Sequence, residues 1–145
     1  MKNENTLHSI SAWFNTATPK PTPADVTTQI GVMLEEMAEV ITALDCDCIA
    51  NKVNALSQSF YALNDEQSAE YLPRISNVAL LDGLADVNVT AVGVAEFLGY
   101  DYHSALDEVN RSNYSKFENG KAVRDEHGKI AKGKDYFKAD LERFL

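Results

Sequence analysis

The sequence predicts an all-α protein: a bundle of four or five helices with an irregular or hairpin C-terminal arm. Three observations carry this. Apolar residues recur at helical spacing in five separate segments. Proline and glycine punctuate the gaps between them. From residue 117 the pattern changes to short apolar–polar stretches around Asn-Gly, His-Gly and Lys-Gly.

At 145 residues the chain suits one domain, 1–145, with 118–145 as the arm. Apolar residues make up 45% and charged residues 24%, an ordinary globular composition. The formal net charge of -9 argues against a non-specific nucleic-acid binder, which carries a basic surplus, and suits a cation binder. The N-terminus has no apolar signal core, and no run reaches the roughly 18 apolar residues of a membrane span. Cytoplasmic residence, with no membrane partner, is the expectation. Cys46 and Cys48 form a C-x-C pair, half of a zinc site at most and too close to pair readily. Reduced thiols fit that location.

The first helix covers 5–17, where Leu7, Ile10, Trp13, Phe14 and Ala17 follow helical spacing. "TPKPTP" (18–23) then breaks the chain. A second helix starts at 22–25, with proline in its first turn and Asp25 at its positive end, and runs to about 46. Its stripe of Ile30, Met33, Leu34, Met37, Val40, Ile41 and Leu44 demands a core. A weaker helix follows over 49–63. Residues 64–75 read as a loop, with room for a helical turn. A fourth helix spans 76–98 and is closed by Gly99. A fifth runs over 102–116.

"LEEMAEV" (34–40) puts Glu35, Glu36 and Glu39 on the second helix, opposite the apolar stripe. Spacings of three and four set like charges side by side, a repulsion of a few tenths of a kcal/mol per pair. No lysine or arginine lies one turn on. A solvated acidic face explains this string by itself. The fourth helix is apolar nearly all round, the mark of a buried helix, yet it carries Asp82 and Asp86. Buried carboxylates need a counter-charge, and no basic residue lies between 77 and 102. Two aspartates at an exposed edge would need none. If the two helices pack antiparallel, five carboxylates converge. Such all-oxygen ligation favours Mg²⁺ or Mn²⁺ and, through it, a phosphate substrate.

Those segments, "LEEMAEV" and "LLDGLADVNVTAVGVAEFLGYD", with "DEVNRSNYSKF" and "GKAVRDEHGKIAKGKDYFKADL", resemble the all-α nucleoside triphosphate pyrophosphohydrolases. That superfamily includes the MazG-like proteins, the dimeric dUTPases and phosphoribosyl-ATP pyrophosphohydrolase. The likeness covers about 22–141. It implies a dimeric or tetrameric four-helix core that binds Mg²⁺ and splits a nucleoside triphosphate into monophosphate and pyrophosphate. House-cleaning of the nucleotide pool is the implied role. Glu36, Glu39 and Asp86 would be metal ligands, and Glu35 a ligand or the base that activates water. The family's E-x-x-D glutamate falls at Gly83, a departure from the pattern, and Asp82 is the neighbouring acid.

Lys116, Asn113 and Arg111, in "NRSNYSK", are candidates for holding triphosphate oxygens, or else a helix cap and C-terminal cations. Trp13 is a candidate for stacking on a base, or a core residue. Gln29, two turns before Glu36, is a candidate for reading a base edge. His8, His103 and His127 form no metal or triad pattern. Two rival readings stand beside the enzyme: a phosphoribosyl-ATP pyrophosphohydrolase, and a non-catalytic nucleotide- or metal-binding helical oligomer.

Overall fold

The computed structural model describes residues 5–125 and 129–145; His127 lies outside them. The fold is all-α. Six helices occupy the described residues: α1 (Thr6–Ala17), α2 (Pro23–Ala43), α3 (Asp47–Tyr61), α4 (Asp65–Tyr71), α5 (Asn77–Leu98) and α6 (Tyr102–Tyr114). A 3-10 turn at Leu72–Arg74 extends α4. The predicted hairpin is β1 (Phe117–Glu118) paired antiparallel with β2 (Lys121–Ala122). Its tip, Asn119-Gly120, has positive φ at both residues, the backbone that closes a two-residue hairpin.

Local chemistry sets the boundaries. Thr22 accepts from the Asp25 amide at 3.2 Å, and Asp25 answers by accepting from the Thr22 amide at 2.9 Å, closing a capping box over Pro23. Residues 64–75 are more helical than the sequence reading allowed. Asn64 and Gln67 form a second capping box, at 2.9 and 3.0 Å, and nucleate α4. Gly99 ends α5 in the left-handed conformation, with φ of 79°. Cys46 and Cys48 are free thiols, at the N-cap and in the first turn of α3.

The chain forms two compact units. Lys20–Ile75 holds α2, α3 and α4. Its seam is built from small residues. A Cβ on Gly31 would stand 2.7 Å from the Tyr61 ring and 3.2 Å from the Ser57 carbonyl, so α3 approaches α2 where a side chain is missing. Ser57 Oγ donates to the Gly31 carbonyl at 2.8 Å. Thr27 and Ser68 hydroxyls pair at 2.8 Å, fully buried. Each buried hydroxyl thus has the partner its desolvation requires. This corrects the expectation for the apolar stripe of α2. The fully buried residues of that helix are Thr27, Gly31 and Ala38; of the stripe, Ile30, Met33, Leu34 and Ile41 are half-buried and Met37, Val40 and Leu44 exposed. Close helix approach selected small side chains over bulky ones.

The other unit comprises Met1–Pro19 and Ser76–Leu145. Trp13 of α1 is buried, donates its indole N–H to the Asn113 carbonyl at 2.9 Å, and stacks on Phe117 with centroids 5.5 Å apart. The arm lies along α6: Ser112 Oγ donates to the Phe137 carbonyl at 2.8 Å, and the Phe137 amide donates to Ser115 Oγ at 3.1 Å.

Helix α5 overturns a second expectation. Its all-round apolar sequence predicts burial, yet only Ala95 is buried. Val78 is 82% exposed, Leu81 70% and Phe97 95%. By length and composition α5 is also long and apolar enough to cross a membrane, although Asp82, Asp86 and Glu96 interrupt its apolar run.

Candidate functional site

The acidic string of α2 meets α3 along a shallow cleft of about 300 Å³. Glu35, Ala38, Glu39 and Thr42 line it from α2, and Ala50, Asn51 and Asn54 from α3. Glu35 and Glu39 are four apart, so both project on one side of the helix. Asn51 and Asn54 are three apart and do the same from α3. Alanines at 38 and 50, both buried, form the floor. The cleft therefore offers two carboxylates and two amide oxygens to whatever enters it.

Glu35 is half-buried and accepts a hydrogen bond from the Tyr61 hydroxyl. That bond crosses the α2–α3 seam and fixes one carboxylate oxygen. Glu39 is exposed. Glu36 is exposed and does not line the cleft. Gln29 is exposed on α2, two turns earlier.

Asp82 and Asp86 belong to the other unit, both exposed on α5. Within that unit they are the exposed pair that needs no buried counter-charge. Thr90 Oγ1 donates to the Asp86 carbonyl at 2.8 Å, a bond local to the helix. A Cβ on Gly83 would meet nothing within 4 Å. Within neither unit do three or more His, Cys, Asp or Glu among the described residues gather as a ready-made metal site.

The "NRSNYSK" residues divide. Arg111 donates to both oxygens of Glu108 at 2.8 Å and lies over the Phe137 ring at 4.2 Å. Arg143 reaches the same carboxylate at 3.2 Å, and the Asp140 amide donates to it at 3.1 Å. The buried Glu108 is held down to about 2, first by the Arg111 hydrogen bonds and then by the Asp140 amide. Arg111 is raised by the same pairing. Its guanidinium fastens the C-terminal arm to α6. Asn113 gives its carbonyl to Trp13, and the Lys116 amide donates to that carbonyl at 3.1 Å; both side chains are half-buried. Trp13 is built into the α1–α6 packing.

Sequence reading missed Asn51 and Asn54. The signal was present: two amides at helical spacing on a helix whose other face is apolar. Without knowing which face of α2 meets α3, nothing tied them to the glutamates. No protein-family model, curated protein or solved structure matches the chain.

Proposed function

We propose that the chain is a Mg²⁺-dependent nucleoside triphosphate pyrophosphohydrolase, cytoplasmic and assembled as a homodimer or homotetramer. The observation that carries this reading is the cleft in which Glu35 and Glu39 face Asn51 and Asn54. The resemblance of the carboxylate-bearing segments supplies the reaction class.

All the donors are oxygen, the set a hard divalent cation takes. Glu36 and Glu39 on α2, and separately Asp82 and Asp86 on α5, are the candidate Mg²⁺ ligands that the resemblance implies, with Mn²⁺ as the alternative, and of these Glu39 lines the cleft. The bound ion supplies neutralisation of phosphate charge and a lowered pKa for water. Glu35 takes the proton of the attacking water, and Tyr61 keeps its carboxylate aimed. Lys116 and Asn113, at the end of α6, are the candidates for holding triphosphate oxygens, and Gln29, on α2, is separately the candidate for reading a base edge. The P–O bond between the α and β phosphates breaks, and pyrophosphate leaves with the electron pair. Neither nucleic acid nor a membrane is needed as partner.

Gly83 favours a second reading, a non-catalytic nucleotide- or metal-binding oligomer, because the family's glutamate is missing there. Phosphoribosyl-ATP ranks below ordinary triphosphates as substrate, since Arg111 and Arg143 are both engaged with Glu108. Pyrophosphate release from a panel of triphosphates and phosphoribosyl-ATP, with and without Mg²⁺, separates these. Release from a triphosphate supports the enzyme. Nucleotide-induced thermal stabilisation with no release from any substrate sinks it and leaves the binding oligomer.

A further inference from the structure

Asn119-Gly120 is the chain's single Asn-Gly step, and it forms the tip of the β1–β2 hairpin. Both residues are exposed, and their φ angles are 51° and 74°. Neither the Asn119 side chain nor the Gly120 amide has a hydrogen-bond partner among the described residues. A Cβ on Gly120 would meet nothing within 4 Å, so neither a side chain of its own nor a neighbour shields that amide. The strands behind the turn are two residues each, too short to hold it closed by themselves. We propose that Asn119 is a site of spontaneous deamidation, and that its isoaspartate product unfastens the hairpin from Trp13. The Gly120 amide nitrogen attacks the Asn119 side-chain carbonyl carbon and closes a succinimide. The side-chain nitrogen leaves as ammonia, taking the proton of the attacking amide. Water then opens the ring at one carbonyl to give aspartate, or at the other to give isoaspartate.

Structure, and not sequence alone, selects this site. Asp82-Gly83 can form the same succinimide and is also exposed, but it lies inside α5. There the Gly83 amide is committed to the helical hydrogen bond, and the helical backbone holds it away from its neighbour's carboxyl. At the hairpin tip no such bond opposes the attack. The product has consequences for the fold. Isoaspartate lengthens the main chain of a two-residue turn by one carbon, which the Phe117–Ala122 and Glu118–Lys121 pairing cannot absorb. It also adds a negative charge beside Glu118, which accepts from the Lys134 amide at 2.7 Å. Phe117 stacks on the buried Trp13, with centroids 5.5 Å apart. Trp13 is the chain's one tryptophan, so its fluorescence reports on the turn.

The test incubates the full chain at mildly alkaline pH and follows it by peptide mapping, with electron-transfer fragmentation to tell isoaspartate from aspartate. Asn119 should convert faster than any other asparagine, with Asp82-Gly83 unchanged. Gly120→Ala should slow the conversion roughly tenfold or more, because a side chain there crowds the attacking nitrogen. The isoaspartate form, separated by anion exchange, should show red-shifted Trp13 emission. Freshly purified Asn119→Asp carries the new charge on an ordinary backbone and should keep the wild-type emission. Asn119 left intact while a free peptide of residues 117–121 converts would overturn the site. So would isomerisation at Asp82 as fast as at Asn119, or an unchanged rate in a folded Gly120→Ala chain. Isoaspartate with unaltered Trp13 emission would overturn the unfastening. The wild-type peptide map needs no variant, so a Gly120→Ala chain that fails to fold leaves the proposal falsifiable. No nucleotide enters these measurements, so they stand or fall separately from the reaction.

Discussion

The Tyr61 hydroxyl donates to Glu35 Oε2 across the α2–α3 seam, while the edge of the same ring fills the space beside Gly31. One side chain thereby joins the packing of the unit to the aim of a half-buried carboxylate. Tyr61→Phe keeps the ring and removes the donor. The fold should lose about 1 kcal/mol, the net value of one hydrogen bond. Turnover should fall about tenfold, the usual cost of freeing a group that orients a site residue. Urea unfolding and steady-state kinetics check both. A variant as active as wild type would remove Tyr61 from the positioning role.

Gly31→Ala tests the seam itself. Alanine in a helix interior is favoured over glycine by about 1 kcal/mol. Here its Cβ would lie 2.7 and 2.9 Å from the Tyr61 ring and 3.2 Å from the Ser57 carbonyl. Forcing that contact costs about 1–3 kcal/mol, and moving the ring also strains the bond to Glu35. The overlap wins, so the melting temperature should drop by roughly 2–8 °C. Gly83→Ala is the matched control. Its Cβ meets nothing within 4 Å, so helix propensity acts alone and the chain should not be destabilised. A Gly31→Ala protein more stable than wild type would contradict the close approach.

The sequence made most of the helices legible because their caps are local chemistry: Thr22-Pro23-x-Asp25 starts α2, and Gly99 stops α5. The same kind of signal, Asn64-x-x-Gln67, lies inside a polar stretch that reads as a loop with room for a helical turn, and it starts α4. The choice of packing face was not legible. Period alone marks a bulky stripe on α2 as core, but the buried positions are Gly31 against α3, Thr27 against Ser68 of α4, and Ala38. That inversion places Glu35 and Glu39 beside Asn51 and Asn54, a grouping that depends on how two helices meet. For α5 the apolar run placed the helix but not its burial, since Ala95 is its one buried residue.

Glu39→Gln and Asp86→Asn test the proposed reaction. Both residues are exposed, so neither change should disturb the fold by more than about 0.5 kcal/mol. Each should reduce Mg²⁺-dependent pyrophosphate release by roughly 100-fold or more, as loss of a charge-stabilising group does. Asn54→Ala should act more mildly, raising KM about fivefold for the loss of one neutral hydrogen bond. Activity of Glu39→Gln or Asp86→Asn within about twofold of wild type would refute the metal assignment.

Glu108 gives the fold its acid dependence. Its carboxylate is buried under Arg111, Arg143 and the Asp140 amide, and it holds its charge down to about 2 against an ordinary value of 4.5. In the unfolded chain the same group takes up its proton near 4.5. Between these values the unfolded state binds more protons, so stability rises with pH there and the contribution is complete above about 4.5. As pH falls from there through 2 it is lost. Asp65, lowered first by the Ala24 amide, and Asp101, lowered first by the hydrogen bond from Ser104, act in the same direction. Glu108→Gln should therefore flatten the acid limb of a urea-stability profile between pH 4.5 and 2 without abolishing it. At neutral pH the variant should melt lower than wild type, because two guanidiniums lose their shared anion. An acid limb of unchanged slope would show that Arg111 and Arg143 do not hold the charge of Glu108.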